Sequence, residues 1–83
     1  MPASIRIEYY GRLSALRGID HEEFPAPTTQ PISQVLAELS RQYPPIGAHL
    51  SRLAVAVDGR VVGPDTLISP GATLALLPPV SGG

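Results

Sequence analysis

Ile32-Ser33-Gln34-Val35-Leu36-Ala37-Glu38-Leu39-Ser40-Arg41-Gln42-Tyr43 is the clearest helical stretch of this 83-residue chain. Ile32, Val35, Leu36, Leu39 and Tyr43 recur at helical spacing and form one apolar stripe. Pro31 suits the first helical position, which leaves Gln30 as a weak cap by position. Pro44-Pro45 terminates the helix, because a proline pushes the residue before it out of the helical region.

On the N-terminal side, Ser4 to Tyr10 alternates, with Ile5, Ile7 and Tyr9 pointing one way and Arg6, Glu8 and Tyr10 the other. Period two with β-branched and aromatic residues predicts a half-buried strand. Arg12 to Arg17 predicts a short helical turn with Leu13 and Leu16 inward, stopped by Gly18, and Glu22 to Phe24 a second short strand ended by Pro25. On the C-terminal side, Pro44 to Arg52 reads as a connector with one more helical turn turning Ile46 and Leu50 inward. Leu53 to Val57 and Arg60 to Val62 are strands joined by Asp58-Gly59, a two-residue hairpin signal. A loop around Leu67 and Ile68 leads to the last strand, Thr73 to Leu77, which Pro78-Pro79 ends and stiffens.

One main helix and five short strands predict an α+β fold, with the helix packed across one face of a single sheet. The domain spans residues 1–77, followed by a flexible tail at 78–83. The uncovered sheet face is expected to carry Ala54, Ala56, Ala75, Leu77 and Tyr10, with only Arg6, Glu8 and Thr73 making it polar. Small apolar side chains give a flat surface suited to protein docking.

Several function classes drop out. The chain has no cysteine, a net charge of −1 and no basic block, which argues against a thiolate site and against nucleic acid as partner. No apolar run reaches membrane-spanning length and Met1 to Arg6 lacks signal-peptide character, so a cytoplasmic protein is expected. His21 and His49 lack metal-ligand spacing, so no metal site is expected. Glu22 and Glu23, adjacent on a strand, point to opposite faces and cannot act as a pair. No phosphate-binding glycine loop is present, and none of the serines has a base partner in sequence. All six basic residues are arginine, so no side-chain amine is available for an isopeptide bond.

What remains is the end of the chain, Leu77-Pro78-Pro79-Val80-Ser81-Gly82-Gly83. Two glycines make the thinnest possible peptide, able to enter a narrow slot and present a terminal carboxylate to another enzyme. On these grounds alone the tail is either a reagent or a flexible stub.

From Ile5 to Gly83 the chain resembles the ubiquitin-like sulfur carriers, most closely the small-subunit (MoaD) family of molybdopterin synthase. The resemblance rests on Ile5-Arg6-Ile7-Glu8-Tyr9-Tyr10-Gly11 with Leu13 and Gly18, the helix ending at Pro44, Ala54-Val55-Ala56-Val57-Asp58-Gly59, and the final Pro-Pro-Val-Ser-Gly-Gly. It departs where the family often has Asn-Gly (here Asp58-Gly59), an acidic pattern before the last strand (here Ser69 to Thr73), and an aromatic pair before the prolines (here Leu76-Leu77).

The resemblance implies a β-grasp fold with a five-stranded mixed sheet. It also implies a cycle in which an ATP-dependent activating enzyme adenylates Gly83 and a sulfur donor converts it to a thiocarboxylate. The carrier then docks on the large synthase subunit, in a heterotetramer with two large subunits, and gives its sulfur to a pyranopterin precursor. No bound cofactor is implied; ATP is used by the activating partner, and catalytic residues belong to the partners. Gly82 keeps the tail slim, Ser81 hydrogen-bonds in a partner channel, Val80 and Leu77 are apolar anchors, and Pro78-Pro79 limits the entropy lost on threading. Alternatives are a carrier for thiamin, cysteine or tRNA thiolation, a protein modifier, or a binding module with an inert tail.

Overall fold

The alternation at the N-terminus folds as strand β1 (Ser4–Tyr9), which buries Ile5, Ile7 and Tyr9 and turns Ser4, Arg6 and Glu8 to the opposite side. The computed structural model describes residues 3–79. After β1 come α1 (Arg12–Arg17), β2 (His21–Pro25), β3 (Gln30–Pro31), α2 (Ile32–Gln42), α3 (Pro44–Gly47), a 3-10 turn (Leu50–Arg52), β4 (Ala54–Val57), β5 (Arg60–Val62), β6 (Leu67–Ile68) and β7 (Thr73–Leu77). Five strands form one sheet in the order β2-β1-β7-β4-β5. β1 and β7 pair in parallel at its centre and the other pairs are antiparallel. This mixed sheet with one main helix is the β-grasp arrangement that the resemblance implies.

Helix α2 packs Ile32, Val35, Leu36 and Leu39 against Ile5, Ile7, Tyr9, Leu74 and Leu76 of the sheet, with Leu13 and Ile46 closing the sides. It ends at Gln42 rather than at Tyr43. Pro44 forces Tyr43 out of helical geometry (φ −140°), while the Tyr43 N–H still donates to the Leu39 carbonyl at 2.8 Å. Pro31 is the capping residue rather than the first helical one, and Gln30 makes no cap. Instead the N–H groups of Ile32 and Ser33 donate to the backbone carbonyls of Thr66 and Pro64, each at 2.9 Å. Those carbonyls are brought there by β3 and β6, a two-stranded sheet in what the sequence presents as loop.

The hairpin after Val57 forms as expected: Asp58 and Gly59 have φ of 50° and 86°, the two positive angles of a type I′ turn. Asp58 does more than turn the chain. Its carboxylate accepts the Thr73 N–H at 3.0 Å and its own N–H donates to the Thr73 carbonyl at 2.9 Å, stitching the hairpin to the start of β7.

At one edge of the core, Tyr9 donates its hydroxyl hydrogen bond to Glu22, which also takes a two-armed contact from Arg17 at 3.2 Å. Arg17 stacks over the Tyr43 ring, 4.7 Å from its centroid, and the Tyr43 hydroxyl donates to the Leu16 carbonyl at 2.7 Å. Burial first, then the bond to Glu22, pushes the Tyr9 hydroxyl well above the ordinary tyrosine value. Because the folded-state value is the higher one, this contribution is complete below the unfolded value of about 10 and is lost as pH rises past it. Tyr9→Phe should therefore cost about 1.5 kcal/mol at neutral pH. It should also flatten the fall in stability above pH ~10, as read by denaturant melts on either side of that pH.

Candidate functional site

Strand β7 is paired on both sides, with Leu77 opposite Ala54 of β4 and Leu76 opposite Tyr9 of β1. Leu74 and Leu76 are fully buried, while Thr73, Ala75 and Leu77 face away from α2. The chain therefore leaves Leu77 from the middle of the sheet. Pro78 then lies directly over Gly11: a Cβ added at Gly11 would stand 3.0 Å from the Pro78 Cγ. Gly11 also holds φ 58° and ψ −135°, a region all but closed to other residues. One glycine thus turns the chain from β1 into α1 and makes room for the first tail residue.

The uncovered sheet face is divided. The register sets His21, Glu8, Ala75, Ala56 and Val61 in one row across it, and Glu23, Arg6 and Thr73 in the next. The β2–β1 half is charged. Glu8 accepts from Arg6 at 3.1 Å and from Tyr10 at 2.8 Å, and the Tyr10 bond first, then that from Arg6, holds its carboxyl below the usual carboxylate range. The β7–β4–β5 half is apolar and contains Ala75, Leu77 and Ala54, as expected. Tyr10 joins this face from just beyond β1, 46% exposed. Ala56, expected as an exposed part of the surface, is only 5% exposed, because its short side chain sits between Ala75 and Val61. Val61, at 67% exposure, is a missing member. The Asp58-Gly59 turn carries the signal, since a two-residue hairpin sets Val61 opposite Ala56.

Glu22 and Glu23 do point to opposite sides; Glu23 accepts from the Ser4 hydroxyl at 2.7 Å. His21 is exposed on the charged half and His49 is half-buried elsewhere. Among the described residues no group of three or more His, Asp or Glu side chains gathers in a metal-binding arrangement. Beside the tail root, Arg12, His49, Arg52, Leu53, Pro78 and Pro79 line a groove of about 280 Å³. Arg12 and Arg52 are far apart in sequence, so no spacing announces it. Pro78 and Pro79 are thus located at the strand exit; Val80, Ser81, Gly82 and Gly83, and with them the expected reactive end, lie outside the described residues.

A family model described as the ThiS family matches residues 7–83. No curated protein matches the sequence. Among solved structures, the chain is similar to a putative molybdopterin converting factor subunit 1 from Pyrococcus furiosus, with TM-score 0.81, 22% identity and coverage of 94% of this chain and 99% of that one. It is similar to SAMP1 from Haloferax volcanii, with TM-score 0.84, 20% identity and coverage of 96% and 99%. It also matches a chain in the complex of subunits 1 and 2 of molybdopterin-converting factor from Helicobacter pylori, with TM-score 0.70, 17% identity and coverage of 96% and 99%. At these identities the likeness is one of fold, the ubiquitin-like β-grasp.

Gly11→Ala should destabilise the fold by about 1–3 kcal/mol, since alanine is strained at that φ and ψ and its methyl group presses on Pro78. Gly59→Ala, at φ 86° but with nothing near the added Cβ, carries the backbone strain alone. Thermal melts of the two variants compare the effects, with the larger loss expected at Gly11.

Proposed function

The chain belongs to the ThiS family, and from that premise we propose that it is a sulfur carrier whose reactive group is the Gly83 carboxylate. In the first step that carboxylate attacks the α-phosphate of ATP on an activating enzyme, forming the acyl adenylate and releasing pyrophosphate. In the second, sulfur supplied at the hydrosulfide level attacks the acyl carbon, AMP leaves, and the C-terminal carboxylate has become a thiocarboxylate with no change of oxidation state. The thiocarboxylate sulfur, ionised at neutral pH, is then the nucleophile delivered to an acceptor. The catalytic side chains are those of the partners, and this chain contributes the carried atom and the surface that presents it.

One observation carries this reading: the apolar half of the open sheet face runs into the strand end from which the Gly-Gly tail departs. A partner that covers Ala75, Leu77, Ala54, Val61 and Tyr10 necessarily stands over the exit of the tail. Docking and threading are then a single event, with Pro78-Pro79 reducing the freedom lost on binding.

For the acceptor, we propose the pyranopterin precursor of the molybdenum cofactor, with this chain as the small subunit of molybdopterin synthase. The Pro-Pro-Val-Ser-Gly-Gly ending supports it, and so does the Helicobacter pylori complex, in which subunit 1 is paired with subunit 2. The partner would be the large subunit, in a heterotetramer with one small subunit at each end of a large-subunit dimer. A second reading, a protein modifier conjugated through Gly83, is favoured by the likeness to the small archaeal modifier protein SAMP1.

Intact mass of the chain purified with its partners from its native cell tests the proposal. A species heavier by the exchange of one oxygen for sulfur is expected, and its absence under every growth condition counts against any carrier. Lysine adducts on other proteins would instead favour the modifier. Deleting Gly83 should abolish the heavier species with an unchanged melting curve. Leu77→Ser should weaken binding to the large subunit about tenfold, or ~1.4 kcal/mol, as read by calorimetry.

A further inference from the structure

The arginines divide by their surroundings. Arg6, Arg17 and Arg41 pair with Glu8, Glu22 and Glu38 at 3.1–3.2 Å. Among the described residues, Arg12, Arg52 and Arg60 have no such ion pair. Arg60 stands alone at the hairpin end of β5. Arg12, from the first turn of α1, and Arg52, from the turn before β4, instead line one groove together with His49. Among the described residues no carboxylate lines that groove, and its apolar part is Leu53, Pro78 and Pro79. Both arginines are exposed and make no side-chain hydrogen bond within the described fold. Two like charges brought together from distant segments, in a chain of net charge −1, are not explained by folding.

The groove includes Pro78 and Pro79, the first two residues of the tail. Any protein that receives the tail closes over this place. We propose that the groove is a second docking element, which takes carboxylate side chains at the rim of the activating enzyme's tail channel. The inference rests on the sulfur-carrier reading. Guanidinium groups match carboxylates with two parallel hydrogen bonds, and exposed charges around a binding site raise the association rate and set orientation. The tail root is thus held between an apolar surface on one side and a cationic one on the other. The phosphate of the adenylated terminus is not the occupant. A tail threaded in extended form carries Gly83 roughly 16–18 Å from Pro78, beyond reach of the groove.

The test is binding of the full chain to its cognate activating enzyme, measured by stopped flow across a salt series. The double variant Arg12→Glu/Arg52→Glu should associate at least tenfold more slowly and lose most of the salt dependence. Arg60→Glu, a single reversal at the far end of the sheet, should associate like the unmodified chain. Circular dichroism melts check that the variants fold. Unchanged association of the double variant overturns the proposal, as does an equal loss for Arg60→Glu, which would make net charge the cause. A second arm needs no sulfur chemistry: the full chain is titrated with a glutamate hexapeptide and followed by amide NMR shifts. Shifts concentrated at Arg12 and at residues 49–53 support the groove. Shifts spread evenly over all the arginines, or matched by inorganic phosphate at equal charge, overturn it. If the unmodified chain is never adenylated but the hexapeptide still seats in the groove, the carrier reading fails and the acidic-ligand site stands.

Discussion

A single amphipathic helix of 11 residues covers one face of a five-stranded sheet and leaves the other uncovered. That constraint organises the molecule. The covered side holds the core, with Ile5, Ile7, Leu74 and Leu76 fully buried beneath α2. The other side is built from short side chains on β7 and β4, so it is flat, and its charged half is confined to β1 and β2. Because β7 is the central strand, the tail that follows it emerges at the end of the uncovered surface and not at an edge of the sheet. The strand is held on both sides and again at its start by Asp58, which gives the tail a firm root.

Much of this was legible in the residues. The stripe from Ile32 to Leu39, the alternation from Ser4 to Tyr9 and the Asp58-Gly59 turn each state their structure through local periodicity or backbone chemistry. The features that escaped are those made by residues distant in sequence. The start of α2 is capped by the carbonyls of Pro64 and Thr66, and no pattern around Gln30 foretells it. The β3–β6 pair is two residues long on each side, too short for alternation to show. At the site, Leu77 and Ala75 were legible from strand parity. The approach of Pro78 to Gly11 and the meeting of Arg12 with Arg52 depend on tertiary packing.

The chemistry assigned to the chain asks little of its side chains. A carboxylate at the end of a thin peptide is a poor electrophile until a nucleotide activates it, and the enzyme that does so must recognise a protein rather than a small molecule. On the proposed reading, recognition rests on the flat apolar half-face and on the arginines at the tail root, and Gly82-Gly83 would let the carboxylate reach catalytic groups elsewhere. The absence of lysine fits a reagent whose activated end finds no side-chain amine on its own surface.

The central claim is that the reactive group is the free carboxylate of Gly83. Isotope exchange between ATP and pyrophosphate, catalysed by the cognate activating enzyme, reads this most directly. Exchange should proceed with the chain ending at Gly83 and stop when one alanine is added after it, although the extended chain still binds. Undiminished exchange with the extended chain, or none with the chain that ends at Gly83, would contradict the account.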